Sequence, residues 1–104
     1  DTAWHAYEFT AAEMDIYIAK RKAQGFTVIQ CALGFPWEAG AKRRKNGEGE
    51  FSFGGEDHRD ILRPNERYWR QVDLWFEKLE NARLYAAALP FWGNRKTLGL
   101  YTPE

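Results

Sequence analysis

The sequence has little of what a disulfide or a membrane anchor requires. Its single cysteine, Cys31, lies inside an apolar run, which excludes an internal disulfide and favours a buried, unreactive thiol. No apolar stretch approaches the roughly 18 residues of a membrane span, and no charged-then-apolar leader opens the chain. We therefore expect no membrane partner, while the redox compartment and the cellular location stay open.

An excess of charge of one sign is also missing. The 15 basic residues balance 15 acidic ones, so the formal net charge is zero. This balance gives no indication of nucleic acid or of an anionic membrane surface as a partner, and we expect neither. The basic cluster at 42–45 is accordingly interpreted as part of a solvated loop.

Signatures of common catalytic sites are absent as well. No nucleophile elbow, phosphate-binding loop or metal-ligand spacing occurs in the sequence. His5 and His58 have polar neighbours in the sequence, but a metal site needs three or four convergent ligands. We expect no metal and no cofactor, and an enzyme complete within these 104 residues is disfavoured.

Aromatic residues, in contrast, are abundant. They make up 16% of the chain, include five tryptophans, and are spread along the sequence instead of occupying one helical face. A core of this size does not need so much aromatic surface, so part of it is predicted to contact a ligand.

Two segments have helical patterns. Residues 10–25 begin with a Thr10–Glu13 capping box and end at Gly25, which suits the left-handed position after a helix. Residues 65–82 begin at Asn65 after a proline. The predicted core-facing residues are Ala11, Met14, Tyr17 and Ile18 in the first helix and Tyr68, Val72, Trp75, Phe76 and Leu79 in the second.

Two further segments are predicted strands. Residues 26–33 are rich in β-branched residues, and alternation separates Ile29 and Cys31 from Gln30. Gln30 is either a hydrogen-bonded interior group or a ligand contact. Residues 84–89 are apolar on both faces, which predicts a buried strand in a parallel sheet covered by helices.

The segment 34–63 between the first of these strands and the second helix has no periodicity and contains six glycines. Loops longer than about 12 to 15 residues are usually functional or disordered. Because this one follows a strand and precedes a helix, it is expected at the carboxyl edge of a parallel sheet.

The order of elements is helix, strand, long loop, helix, strand. Short turns from each helix to the next strand indicate parallel βα units, and the fold class is therefore α/β. If residues 1–4 are the tail of an earlier strand, the chain holds the end of strand one and all of strands two and three. Its length fits one domain.

Five short motifs stand out along the chain: Asp1-Thr2-Ala3-Trp4, Phe26-Thr27-Val28-Ile29-Gln30, Arg63-Pro64-Asn65-Glu66-Arg67-Tyr68, Val72-Asp73 and Leu89-Pro90-Phe91-Trp92-Gly93. They occur in the same order in the apiosidase-like glycoside hydrolases, and the chain resembles that family over nearly its whole length. The resemblance implies a (β/α)8 TIM barrel, often bacterial, that hydrolyses glycosidic bonds.

A complete barrel takes about 250 residues. The resemblance therefore implies that residues 1–104 are an N-terminal fragment, with the remainder of the barrel downstream and the catalytic carboxylates on later strands. The missing initiator methionine also suggests a piece of a longer protein, and a secreted or periplasmic parent is kept open. No catalytic residue is assigned here, since the loop acids are predicted to be solvated; they are Glu38, Glu48, Glu50, Glu56, Asp57 and Asp60.

Five residues are predicted to bind an oligo- or polysaccharide substrate. They are Asp1 and Trp4 after the presumed first strand, Gln30, Trp37 in the long loop, and Trp92 after the strand 84–89. Each has a structural alternative, such as backbone capping by Asp1 or a barrel-rim plug at Trp92.

A second hypothesis is a stand-alone α/β carbohydrate-binding module with Trp4, Trp37 and Trp92 as its platform. Its difficulty is a small parallel sheet with both edges unpaired.

Overall fold

The computed structural model describes residues 1–35 and 44–90. The elements, in chain order, are β1 (Thr2–Ala3), α1 (Ala11–Ala23), β2 (Val28–Ala32), β3 (Phe53–Gly54), β4 (Asp60–Pro64), α2 (Glu66–Asn81) and β5 (Tyr85–Leu89), with 3₁₀ turns at Ala6–Glu8 and Glu56–His58. Trp37 and Trp92 lie outside the described residues. Neither α1 nor α2 is long and apolar enough to cross a membrane.

Helix α1 begins where the sequence predicts. The Thr10 hydroxyl accepts a hydrogen bond from the Glu13 backbone nitrogen at 3.3 Å, and the Glu13 carboxylate accepts one from the Thr10 nitrogen at 2.9 Å. These reciprocal bonds satisfy two backbone donors that the first turn would leave unpaired. After the helix, Gly25 has φ +88° and turns the chain toward β2.

Helix α2 is capped by Asn65, whose side-chain oxygen accepts a hydrogen bond from the Arg67 nitrogen at 3.2 Å. Four of the five residues in its predicted stripe are fully buried, and Phe76 is half-buried; the four are Tyr68, Val72, Trp75 and Leu79. The predicted start, end and buried face of this helix are thus confirmed. Gln71 is buried with them, which the apolar stripe alone does not predict.

The parallel sheet has the order β1-β2-β5. Thr2 of β1 lies beside Gln30 of β2, and Gln30 lies beside Ala87 of β5. Each parallel neighbour is reached through a helix, α1 or α2, as parallel pairing requires. The predicted α/β class with parallel βα units, including a strand at the start of the chain, is therefore confirmed.

The apolar core lies between this sheet and the two helices. Ile29 and Cys31 have no exposed surface, and they form one cluster with Met14 and Ile18 of α1 and with Trp75 and Leu79 of α2. The Trp75 indole nitrogen donates to the Cys31 sulfur at 3.5 Å. Burial raises the pKa of the Cys31 thiol, which fits the predicted unreactive cysteine.

Strand β5 differs from its prediction. Leu84, just before it, is buried, but residues 85–88 are exposed, and Tyr85 retains 74% of its surface. The prediction of burial on both faces is wrong for the described residues, because β5 lies at the edge of the described sheet and no described element covers residues 85–88 on either face. The apolar composition of a strand predicts that other elements cover it, but it does not identify those elements.

The connection between β2 and α2, residues 33–65, also contains more structure than its pattern indicates. In its described part, β3 and β4 form an antiparallel hairpin in which Phe53 lies opposite Pro64 and Gly54 opposite Asp60. Strand β3 has only two residues, and β4 has no apolar–polar alternation because Ile61 and Leu62 are adjacent and both exposed, so the hairpin leaves no periodic signal.

Candidate functional site

The carboxyl ends of the parallel strands meet at one edge of the sheet, where ligands of α/β proteins commonly bind. Trp4 and His5 follow β1, and Gly34 and Phe35 follow β2 shortly after its end. The Leu33 nitrogen donates to the Leu89 carbonyl at 2.9 Å, which holds the ends of β2 and β5 together.

Three rings form a cluster at this edge, which we call the mouth cluster: His5, Tyr7 and Phe35. Ring centroids are 5.3 Å apart for His5 and Phe35, 5.7 Å for Tyr7 and Phe35, and 5.9 Å for His5 and Tyr7. Tyr7 is buried, whereas His5 and Phe35 are half-buried. The cluster therefore offers partly exposed ring faces on which an apolar ligand surface could stack.

Polar contacts fix the orientation of the His5 ring. Its Nδ1 lies 2.9 Å from a carboxylate oxygen of Glu8 and 3.5 Å from the Tyr7 hydroxyl. Both partners belong to the 3₁₀ turn after β1. A carboxylate at Nδ1 holds an imidazole in one orientation and favours the tautomer with a proton on that nitrogen.

Tyr68 belongs to the same apolar cluster as Tyr7 and Phe35 of the mouth cluster. Its ring has no exposed surface, and its hydroxyl donates to the Leu33 carbonyl. Burial raises the pKa of Tyr68, so the hydroxyl stays a neutral donor. A Cβ atom on Gly34 would overlap that hydroxyl, which explains glycine at this position.

The turn at 46–50 joins the β2–α2 connection to the 3₁₀ turn after β1. The Asn46 side-chain oxygen accepts from the Glu48 nitrogen at 2.9 Å and from the Glu50 nitrogen at 3.0 Å. The Gly47 nitrogen donates to the Tyr7 carbonyl at 3.1 Å. The connection is thus bonded directly to a residue of the mouth cluster.

A charged cluster surrounds the hairpin tip. The buried Arg44 side chain bonds the Asp57 carboxylate at 3.2 Å and also donates to the Asp57 carbonyl. Arg59 reaches the same carboxylate at 3.2 Å. The hydrogen bond from Arg44, followed by the charge of Arg44, holds the pKa of the Asp57 carboxyl below its usual range. Asp57 is therefore a poor proton donor near neutral pH.

The five predicted substrate-binding residues do not all lie at this edge. Trp4 follows β1 at the carboxyl edge and is half-buried, as predicted. Gln30 lies in the middle of β2, on the sheet face opposite the buried Ile29 and Cys31. Trp37 and Trp92 fall outside the described residues. Substrate contact by Trp4, Gln30, Trp37 and Trp92 stays a prediction.

Asp1 lies elsewhere. It precedes β1, so it sits at the amino edge of the sheet, and the expectation that it follows the first strand is wrong because that strand consists of Thr2–Ala3. Its carboxylate accepts a hydrogen bond from the Tyr17 hydroxyl and pairs with Arg21 at 2.5 Å. These contacts tie β1 to α1 and give Asp1 a structural role.

Several loop acids are bonded by neighbouring side chains, and all of those described remain exposed or half-buried. Glu50 accepts from the Asn65 amide at 3.0 Å, and Asp60 pairs with Arg63 at 3.4 Å. Within residues 1–35 and 44–90, no group of three or more His, Cys, Asp or Glu side chains could hold a metal ion.

The sequence does not single out Tyr7 or Phe35, and it predicts burial of Tyr68 but not its contact with Leu33. Phe35 could have been found by the rule that selected Trp92, since both are aromatic residues shortly after a predicted strand. Tyr7 and Tyr68 carry no such signal in the sequence. They belong to one buried cluster, which forms only when the 3₁₀ turn and α2 pack together.

Comparison with known proteins places the chain in a family. Residues 1–103 match the family described as "Apiosidase-like, catalytic domain". No curated protein matches the sequence.

One solved structure, described as "Glycoside hydrolase", is 23% identical and superposes with a TM-score of 0.69. The match covers 88% of this chain and 20% of that one, so this chain spans about a fifth of the length of the matched protein. At this identity the likeness shows a shared fold. With the sequence match over residues 1–103, the conclusion is that this chain belongs to the apiosidase-like catalytic domain family.

Proposed function

We propose that the chain is the N-terminal part of a (β/α)8-barrel glycoside hydrolase and that it contributes substrate-binding residues at the carboxyl edge of its strands. The observation that carries the proposal is a parallel sheet whose strands follow chain order, with both helices on one face. In a closed barrel the helices form the outer ring, and the other sheet face becomes the interior.

The residues on that other face support this arrangement. Thr2, Gln30 and Ala87 lie side by side in register across β1, β2 and β5. Thr2 and Ala87 are exposed in this chain and Gln30 is half-buried. In a (β/α)8 barrel such rows form the layers of side chains that fill the centre, and they would be covered by the remaining strands.

The substrate class in this proposal is an oligo- or polysaccharide. Rings of the mouth cluster supply faces for the apolar side of a sugar, and His5, held by Glu8, supplies a polar contact. Trp4, Trp37 and Trp92 are further candidates for stacking. The catalytic carboxylates belong, in this proposal, to later strands of the same polypeptide, and neither nucleic acid nor a membrane is a partner.

The exposed row 85–88 favours the barrel over a stand-alone binding module. A module of this size would leave the β5 edge and Tyr85 in water, where an unpaired edge invites aggregation. Size-exclusion chromatography with circular dichroism on residues 1–104 separates the two. A compact, cooperatively folding monomer would support the module, whereas aggregation or a molten state supports the barrel fragment.

Activity should be tested on the polypeptide as its gene encodes it. Aryl glycosides and plant polysaccharides are suitable substrates, and we expect hydrolysis of at least one. The Phe35→Leu variant removes one ring of the mouth cluster, so KM should rise roughly three- to tenfold with little change in kcat. Phe26→Leu is the matched control, because Phe26 lies before β2 at the amino edge. Absence of hydrolysis, or equal KM values for both variants, would contradict the proposal.

A further inference from the structure

A polar groove lies between the turn at 46–50 and the first turns of α2, separate from the mouth cluster. It is lined by Glu48, Glu50, Arg67, Arg70 and Gln71, and its volume is about 310 Å³. That volume is at the lower end of the range of about 300 to 1,000 Å³ for small-molecule sites. It shares no lining residue with the mouth cluster.

Its lining combines acceptors and donors of hydrogen bonds. Glu50 is partly engaged, by the Asn65 amide at 3.0 Å and by Arg67 at 3.8 Å. The Glu48 and Arg70 side chains are exposed at the groove surface. Two carboxylates and two guanidinium groups bring the formal charge of the lining to zero.

Gln71 adds an observation that points to a ligand. The residue is only 6% exposed, and its side-chain amide nitrogen has no hydrogen-bond partner among residues 1–35 and 44–90. A buried donor without an acceptor destabilises the fold, and native proteins rarely retain one. Gln71 lines both this groove and a small internal cavity beside Tyr7 and Tyr68, and a ligand oxygen that reaches its amide from the groove would satisfy it.

We propose that this groove is an accessory binding site for a neutral sugar residue. Each sugar hydroxyl both donates and accepts, so adjacent hydroxyls match a carboxylate on one side and a guanidinium or amide on the other. Because the lining has no net charge, it does not offset the cost of removing an anionic sugar from water, so a neutral sugar is favoured. The groove shares no lining residue with the mouth cluster and requires no catalysis, so its binding can be tested independently of the proposed function.

Ligand-observed NMR titrations of the gene-encoded polypeptide test this site, with D-xylose and D-galactose as neutral probes and D-galacturonate as the anionic one. We expect at least one neutral sugar to bind. Arg70→Gln should weaken that binding roughly tenfold, as expected for the loss of one charge-assisted hydrogen bond. Arg63→Gln is the matched control, because it also removes an exposed guanidinium but lies in β4, outside the groove.

Glu48→Gln is a second test that removes an acceptor from the opposite wall, and it should weaken binding as Arg70→Gln does. Phe35→Leu should bind the neutral sugar as tightly as the unsubstituted protein does, because Phe35 lies in the mouth cluster and not in the groove. No binding of either neutral sugar would overturn the proposal. Equal affinities for Arg70→Gln and Arg63→Gln, or tighter binding of galacturonate than of the neutral sugars, would do so as well. Since binding is measured directly, an inactive protein does not affect the result.

Discussion

At the scale of single residues, the contacts around Gly34 restrict which residue can stand near the candidate site. A side chain there would overlap the Tyr68 hydroxyl, which donates to the carbonyl of Leu33. The sequence indicates a glycine-rich loop after β2 but not which glycine is required, because the requirement comes from Tyr68 on α2. The position of Trp4 at the carboxyl edge was predictable because Trp4 follows a strand. The contact between Tyr68 and Leu33 was not, because it arises only through tertiary packing.

We expect Gly34→Ala to lower the free energy of unfolding by about 1 to 3 kcal/mol, as overpacking of a filled site typically does. Urea denaturation of the gene-encoded protein measures the loss. Gly54→Ala is the control, because a Cβ atom there meets only ordinary contacts with Arg63 at 3.7 Å. Equal losses in the two variants would show that Tyr68 does not restrict position 34.

The Asp57 carboxyl gives a prediction about pH. Its pKa is lower in the folded state than the ordinary value of about 3.9, so its ion pairs stabilise the fold above that value and lose their effect as pH falls through the folded pKa. Asp57→Asn should therefore lower the melting temperature at pH 7, with a shrinking difference from the unsubstituted protein below about pH 4. Asp73→Asn, on the exposed face of α2, is the control. A difference that persists unchanged at low pH would contradict the pairing with Arg44.

At the scale of elements, helix boundaries were predictable and strand environments were not. Thr10 and Asn65 cap their helices through bonds to residues two or three positions away, so the signal is local in sequence. The hairpin of β3 and β4 shows no alternation, because β3 has two residues and the apolar Ile61 and Leu62 of β4 are adjacent. The exposure of β5 depends on which elements surround it, and that information is not contained in the strand itself.

Asn65 connects two elements and should matter more than Thr10. Besides capping α2, its amide donates to Glu50 at 3.0 Å and to the Phe51 carbonyl at 2.8 Å. Thr10→Ala should cost about 1 kcal/mol of unfolding free energy, the usual value for one lost cap. Asn65→Ala should cost more, and Asn65→Ser should fall between, because the serine hydroxyl keeps the cap and loses the amide contacts to Glu50 and Phe51. An unchanged unfolding free energy in Asn65→Ser, by urea denaturation, would show that the amide contributes nothing.

At the scale of the whole molecule, the chain is one sector of a larger architecture in our proposal. Both helices cover one sheet face, the opposite face is largely exposed, and β5 has an unpaired edge among the described residues. The family and the parallel βα order could be predicted from the sequence, since five short motifs and alternating helix and strand patterns carry them. How the sector is completed could not be predicted, because no described element pairs with the second edge of β5.

Amide hydrogen exchange at β5 in the gene-encoded polypeptide tests this central claim most directly. The Tyr85 nitrogen donates to the Thr27 carbonyl, so alternation directs the N–H groups of Ala86 and Ala88 toward the opposite edge. If a further parallel strand pairs with that edge, the amides of Ala86 and Ala88 should exchange as slowly as those of Ile29 and Cys31 in the sheet interior. Fast exchange at Ala86 and Ala88, with slow exchange at Ile29 and Cys31, would show a free edge and contradict the barrel.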